Sequence, residues 1–353
     1  MLVWIAFVSL ILFLLALDLG IFHRTAHVVS VREALGWSAA WFVLALAFSG
    51  FIYGAYEYKW LGLGLAADLA DRSHHFPDGV INDGQSALIK YLTGYVVEES
   101  LSVDNMFVIA MVFRAFAIPS VYQHRVLFWG ILGALVMRGA MIAVGARLVS
   151  EFSWILYLFG AFLVVTAVKM LFVEEDVRDA KDTFVVRWIR RVVPVTDRLH
   201  GEHFVVRQPG LMLTPLALAL VMVEATDLLF AVDSIPAIFA ITTDPFLVFS
   251  SNVFAILGLR SLYFVLAGAI ETFHYLKVSL ALVLGLVGGK MLAHTWLEDL
   301  LGEHFNVYLL AAILAILGGG VIASVLRRRR APSAPRPQPP APATPDARPS
   351  VDR

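Results

Sequence analysis

VEATDLLFAVDSIPA, residues 223 to 237, places Glu224, Asp227 and Asp233 inside an apolar run long enough to cross a membrane. On insertion scales each charged side chain near a helix centre costs about 2.5–3.5 kcal/mol, so such groups survive where they face a cavity, a partner or a substrate. A second stretch, VVEESLSVDNMF from Val96 to Phe107, does the same with Glu98, Glu99 and Asp104. Function is to be sought where these two segments meet.

The rest of the chain reads as an all-α polytopic membrane protein. Hydrophobic residues make up 59% and charged residues 16%, with a mean hydropathy of +0.78, far more apolar than a soluble domain. The net charge of −1 and a pI near 6.8 exclude a strongly basic nucleic-acid binder. The chain has no cysteine, so disulfides, thiolate metal sites and cysteine nucleophiles are absent, and any metal must be held by oxygen or imidazole. Met1 to Gly20 lacks the basic leader and small-residue cleavage site of a secretory signal, and reads as a retained first span.

Apolar runs of spanning length fall at about Leu2 to Phe22, Trp37 to Tyr56, Leu88 to Phe113, Val126 to Leu148, Trp154 to Val173, Leu211 to Ile235, Phe246 to Ile270, Val278 to Ala293 and Val307 to Leu326. These predict about nine transmembrane helices within residues 1–330. Lys and Arg collect in His23 to Glu33, Arg114 to Arg125, Glu174 to Gly210 and Arg327 to Arg330, which fall on one side if every run crosses. The opposite loops are acidic, so the positive-inside rule puts the N-terminus outside and the C-terminus in the cytoplasm. The Pro- and Ala-rich tail, 331–353, cannot bury a core and is expected to be disordered.

An internal repeat underlies this layout. Aligning Glu98 and Ser102-Val-Asp104-Asn105 with Asp227 and Ala231-Val-Asp233-Ser234 brings Arg138 opposite Arg260 and Lys169-Met-Leu opposite Lys290-Met-Leu. The third and sixth runs then cross in opposite directions. Runs 3–5 (about 88–173) and 6–8 (about 211–293) form an inverted 3+3 repeat, a transporter plan with its site near the midplane. Runs one, two and nine are peripheral in this scheme.

Counting along the helices places Glu98 and Glu224 near the midplane. Asp104 lies about 9 Å further inward than Glu98, and Asp233 about 9 Å further outward than Asp227. Glu98, Ser102 and Asn105 share one helix face and Asp104 another; Asp227 and Ser234 share a face, with Thr226 and Asp233 on a second. Pro236 offers no N–H to the Val232 carbonyl, which predicts a loosened helix there. Oxygen ligands without thiolates suit a hard divalent cation. The competing reading has these acids forming structural ion pairs with Arg138, Arg260, Lys169 and Lys290. Glu99 points away from Glu98, Asp18 sits near an inner span end, and His74, His75, His294 and His304 fall in outer loops, where solvated histidines are common. Gly130, Gly133, Gly285, Gly288 and Gly289 are expected to let helices approach closely.

These residues resemble the TerC/Alx integral membrane proteins of the LysE-like transporter superfamily. The likeness rests on Glu98-x-Ser100-Leu101-x-Val103-Asp104-Asn105, on Glu224-x-x-Asp227-x-x-Phe230-Ala231-Val232-Asp233-Ser234-Ile235-Pro236-Ala237, on TTDPF from Thr242, and on SNVFAILGLR ending at Arg260. It implies a bacterial inner-membrane manganese exporter, with Glu98, Asp104, Glu224, Asp227 and Asp233 at the family's functional acidic positions. Glu99 departs from the pattern, since family members often carry lysine there. The family's older label is tellurium resistance, and some relatives resemble membrane-protein assembly partners. The expectation is therefore a transporter and not an enzyme, with Mn²⁺ as transported substrate, protons as counter-ion, no permanently bound cofactor and the bilayer as its surroundings. Ser102, Asn105, Thr226, Ser234, Arg138 and Arg260 are the supporting residues. Export of another divalent ion such as calcium is the nearest alternative. A scaffold docking a partner on Arg187, Arg190 and Arg191 is a third. An intramembrane aspartyl protease is disfavoured, because no GxGD-type motif occurs and Asp104 and Asp233 fall on opposite sides of the midplane. Nothing in the sequence sets an oligomeric state.

Overall fold

The computed structural model describes residues 2–17, 30–71, 79–172, 183–207, 210–267, 275–293, 297 and 305–330. Among the described residues nine long helices coincide with the nine apolar runs: α1 Leu2–Leu17, α2 Val31–Glu57, α3 Gly84–Ala115, α4 Ser120–Glu151, α5 Ile155–Phe172, α7 Pro215–Phe239, α8 Pro245–Ala267, α9 Leu276–Leu292 and α10 Phe305–Arg330. A short helix, α6 Phe184–Val192, lies between α5 and α7. Among the described residues six helices, α2, α4, α5, α7, α8 and α10, are long and apolar enough to cross a bilayer; α3 carries the charges discussed below, and α1 and α9 are 16 and 17 residues long. The chain is an all-α polytopic membrane protein.

Several helix ends differ from the sequence expectation, each for a local reason. The sixth run begins at Pro215 and not Leu211, because Thr214 caps the helix by accepting from the Ala217 N–H and Pro215 occupies the first turn. Leu211–Leu213 instead forms β4, paired antiparallel with β3, Val205–Arg207. At its other end α7 runs unbroken past Pro236 to Phe239, so the expected loosening does not end the helix. Asp83 caps α3 through the Ser86 N–H at 2.7 Å, and α3 continues to Ala115, which shortens the expected Arg114 to Arg125 connection to residues 116–119. Between α5 and α7 lie α6 and the β3–β4 pair, tied to the start of α4 by Arg125, whose Nη1 meets Glu202 Oε2 at 2.6 Å and whose guanidinium lies over Phe204. A small hairpin, β1 Ala67–Asp68 with β2 Val80–Ile81, joins α2 to α3.

In the centre α3 packs on α8 and α4 on α7, while α3 meets α7, α4 meets α8 and α5 meets α9. These principal pairings map onto themselves when α3, α4 and α5 are exchanged for α7, α8 and α9. Helix α8 is the most enclosed of the candidate spans, and α10, α2 and α5 are the most open. Helix α1 contributes a single buried stripe, Val3, Phe7, Ile11 and Leu15. The α5–α9 contact is close: a Cβ on Gly288 would lie 2.9 Å from the Gly160 carbonyl oxygen, so the backbones themselves touch. Gly285 is in ordinary contact with Ala167, and Gly289 borders open space, so it is not part of that approach.

Candidate ion-binding site

Helices α3, α4, α7 and α8 converge on one guanidinium. Arg138 is 2% exposed, Glu98 1% and Asp227 5%. Arg138 Nη1 donates to Glu98 Oε1 in a close ion pair. Its Nη2 and Nε donate to the two oxygens of Asp227 at 2.8 and 3.2 Å, a side-on bidentate contact. The helices that position these groups also complete their hydrogen bonding. Asn252 of α8 accepts from Arg138 Nη1 at 3.0 Å and donates to Glu98 Oε2 at 3.1 Å. Asn105, two turns below Glu98 on the same face, donates to Asp227 Oδ1 at 3.0 Å. Ser102 Oγ lies 3.5 Å from Glu98 Oε1, and Ser234 Oγ accepts from Arg138 Nη1 at 3.4 Å. With both acids ionised, two carboxylates face one guanidinium and the cluster keeps one negative charge. Buried ions of this kind persist only when paired and hydrogen-bonded on every side.

The remaining acids stand around this cluster, not in it. Glu224, one turn before Asp227, is half-buried against α4, where a Cβ on Gly133 would overlap its Oε1 at 1.9 Å; only glycine leaves room for the carboxylate. Glu224 Oε2 is buried with no hydrogen-bond partner among the described residues. Asp104 is half-buried, and half-buried Asp233 accepts from Thr166 Oγ1 of α5 at 3.4 Å. Among the described residues no three acidic or histidine side chains come together as a metal-holding group. Thr226 donates to the Val223 carbonyl of its own helix. Arg260 is buried on α8. Glu99 faces Gly258 of α8, and its Oε2 is likewise buried without a hydrogen-bond partner among the described residues. Of the two repeat-related lysines, Lys169 is exposed, and Lys290 is buried and donates to the carbonyls of Ala240 and Ala70 at 2.8 and 3.2 Å. Asp18, His74, His75, His294, His304 and the 331–353 tail lie outside the described residues.

A second buried polar cluster was not anticipated from sequence. Asp68, in the α2–α3 connection, accepts on Oδ1 from the N–H groups of Ala70 and Thr243 and from Thr243 Oγ1, and on Oδ2 from Asn82 Nδ2, Lys90 Nζ and Thr242 Oγ1. Lys90, buried in the first turns of α3, also pairs with Asp71. Burial alone would raise the Asp68 pKa; the Lys90 ammonium and hydrogen bonds from Lys90, Thr242 and Thr243 outweigh it and hold the carboxyl well below the usual carboxylate range. Asp244 caps α8 through the Phe246 N–H at 2.9 Å, and burial raises its pKa. The cluster fastens the α2–α3 connection over the α7–α8 turn.

A family model, the integral membrane protein TerC family, matches residues 83–332. An uncharacterised membrane protein of Myxococcus xanthus is 44% identical over 331 residues, covering 94% of both chains. Proteins described as putative membrane-bound redox modulator Alx are 45% identical over 317 residues in Photorhabdus laumondii (89% of this chain, 92% of the relative). In Escherichia coli K12 the corresponding protein is 43% identical over 319 residues (89% and 94%). No solved structure matches. The matched region contains the Glu98–Arg138–Asp227 cluster and every spanning helix from α3 onward, and the chain belongs to the TerC family of integral membrane proteins.

Proposed function

We propose that this chain exports a divalent cation, Mn²⁺, across the bacterial inner membrane in exchange for protons, with the N-terminus outside and the C-terminus in the cytoplasm. The observation that carries this reading is the enclosure of Glu98 and Asp227, from two different helices, on the single guanidinium of Arg138. The net negative charge and the all-oxygen donor set suit a hard cation, which would compete with Arg138 for the same two carboxylates. Glu224, with its unsatisfied Oε2 one turn away, is the nearest further ligand. Carboxylates must lose protons to bind metal, so loading releases H⁺ and unloading takes it up. The self-mapping helix pairs support an inverted repeat, in which Asp104 serves the inner approach and Asp233 the outer exit.

The test is intracellular metal content in a deletion strain carrying wild type, Glu98→Gln or Asp227→Asn, paired with Mn²⁺ flux and lumenal pH in reconstituted vesicles. Manganese should accumulate with either variant. Flux without proton movement removes the exchange and leaves the export. Because the chain has no cysteine, Asp104→Cys and Asp233→Cys can be probed with membrane-impermeant thiol reagents; labelling of both from one side only, under all conditions, overturns the two-sided pathway. The redox description of the Alx relatives suggests a second reading, but without cysteine this chain has no thiol to exchange, and any redox effect would run through the ion it moves.

A further inference from the structure

We infer that α6 is an interfacial helix that binds the headgroups of anionic phospholipids. The nine residues FVVRWIRRV divide the helix into three sectors at about 100° per residue. Val186 and Ile189 are buried against the bundle, in the apolar cluster formed by the end of α3 and the start of α7, including Phe113 and Leu216. Phe184, Trp188 and Val192, spaced four apart, form a second apolar stripe that is 72, 56 and 62% exposed. Arg187, Arg190 and Arg191 fill the remaining arc, and all three are exposed. A water-facing helix has no use for two adjoining apolar sectors, one of them presenting Phe and Trp. A helix lying in the corner between a spanning bundle and the lipid surface needs that pattern: one sector on protein, the next in the acyl boundary, and the cationic arc at phosphate level.

Position and charge agree with this assignment. Helix α6 packs on α7, and its buried residues share one apolar cluster with Leu216, Leu218 and Ala219 at the start of that helix, where a spanning segment leaves the bilayer. Of the three arginines, Arg190 lies 3.8 Å from Asp197 in an exposed, open pair. The acidic residues between Glu174 and Asp182 precede the helix, whereas Arg190 and Arg191 occupy its last turn. The stripe and the arc are thus complementary to an anionic leaflet, with Trp188 and the arginines as the anchors. The assignment does not depend on which ion, if any, the bundle moves.

The absence of cysteine makes the test direct. The full chain carrying Trp188→Cys or Val192→Cys is labelled with bimane and reconstituted in phosphatidylcholine vesicles containing brominated phosphatidylcholine or brominated phosphatidylglycerol. A label at Val165→Cys, on the open face of α5, serves as the lipid-facing control and as the check that variants are folded. Both α6 labels should be quenched, with phosphatidylglycerol preferred; adding Arg187→Gln and Arg191→Gln should lower that preference by about five-fold for each arginine removed, the worth of one surface arginine. No quenching at either α6 position overturns the proposal and leaves the stripe to a protein partner. Equal quenching by both lipids, unchanged by the arginine substitutions, overturns headgroup recognition.

Discussion

Replacing Asp68 by asparagine tests whether the Asp68–Lys90 cluster fastens the α2–α3 connection to the α7–α8 turn. The carboxylate accepts six hydrogen bonds, three on each oxygen. Asparagine keeps the shape but turns one oxygen into an NH₂ donor. If that donor faces Lys90, the lysine and the Asn82 amide lose an acceptor; if it faces the other way, the Ala70 and Thr243 N–H groups do. The hydroxyls of Thr242 and Thr243 can rotate, so two fixed donors are orphaned in either orientation, at about 1–3 kcal/mol each. Lys90 keeps Asp71 but loses half its counter-charge, and the total should reach about 3–5 kcal/mol, the range for breaking a buried pair. The assay is unfolding of purified protein in a graded mixture of mild detergent and dodecyl sulfate. Asp83→Asn is the control, since asparagine caps a helix as well as aspartate and Asp83 is exposed. A cost for Asp68→Asn below about 1 kcal/mol, on the kcal scale of a single ordinary hydrogen bond, refutes the assigned role. The pH dependence has a fixed sign. A folded pKa below the unfolded value of about 3.9 means that the Asp68 contribution is present above that value. It is lost as pH falls through the folded one, so wild type should weaken in acid along a limb that Asp68→Asn lacks.

Three further outcomes follow from the bundle. Arg138→Met leaves Glu98 and Asp227 without their shared counter-charge and should cost about 3–5 kcal/mol of stability; adding Asp227→Asn should recover part of it, and equal unfolding of the single and double variants would count against the pairing. Gly133→Ala should change stability by no more than about 1 kcal/mol, as alanine favours the helix, yet displace Glu224 and, on the proposed export function, weaken Mn²⁺ affinity, read from the concentration dependence of vesicle flux; unchanged affinity removes Glu224 from the proposed site. Gly160→Leu overfills the α5–α9 contact and should destabilise by about 1–3 kcal/mol in the same unfolding assay, whereas wild-type stability would mean that the two helices can separate without cost.

Hydrophobic runs and misplaced charges carried most of the architecture. Each long helix coincides with an apolar run because lipid demands backbone satisfaction within the segment, and Glu98, Asp227 and Arg138 were legible because charges in such runs are rare. Asn252 was not. A lone amide in SNVFAILGLR gives no sign that it will bridge an arginine and a glutamate on two other helices. Asp68 and Lys90 were harder still: one lies in a polar connection and the other among the opening residues of a helix, and their meeting depends on how that connection folds back across the α7–α8 turn. Helix α6 was present in the sequence as FVVRWIRRV, with its apolar positions at helical spacing, but read only as a basic loop because its charge also satisfies the positive-inside rule. The start of α7 turned on Thr214 and Pro215, a capping signal stronger than the apolar residues before it.

The shared guanidinium has a consequence for how the protein is made. Glu98 and Arg138 are 40 residues apart, so they can find one another as soon as α4 follows α3 into the membrane. Asp227 arrives 89 residues after Arg138, on the order of ten seconds later at ordinary rates of synthesis. During that interval the first half can enter lipid as a neutral ion pair, and the second acid inserts against a cation already waiting for it. Biogenesis is thereby ordered: a chain synthesised with its halves reversed would have to insert Asp227 before any arginine from α4 existed to receive it.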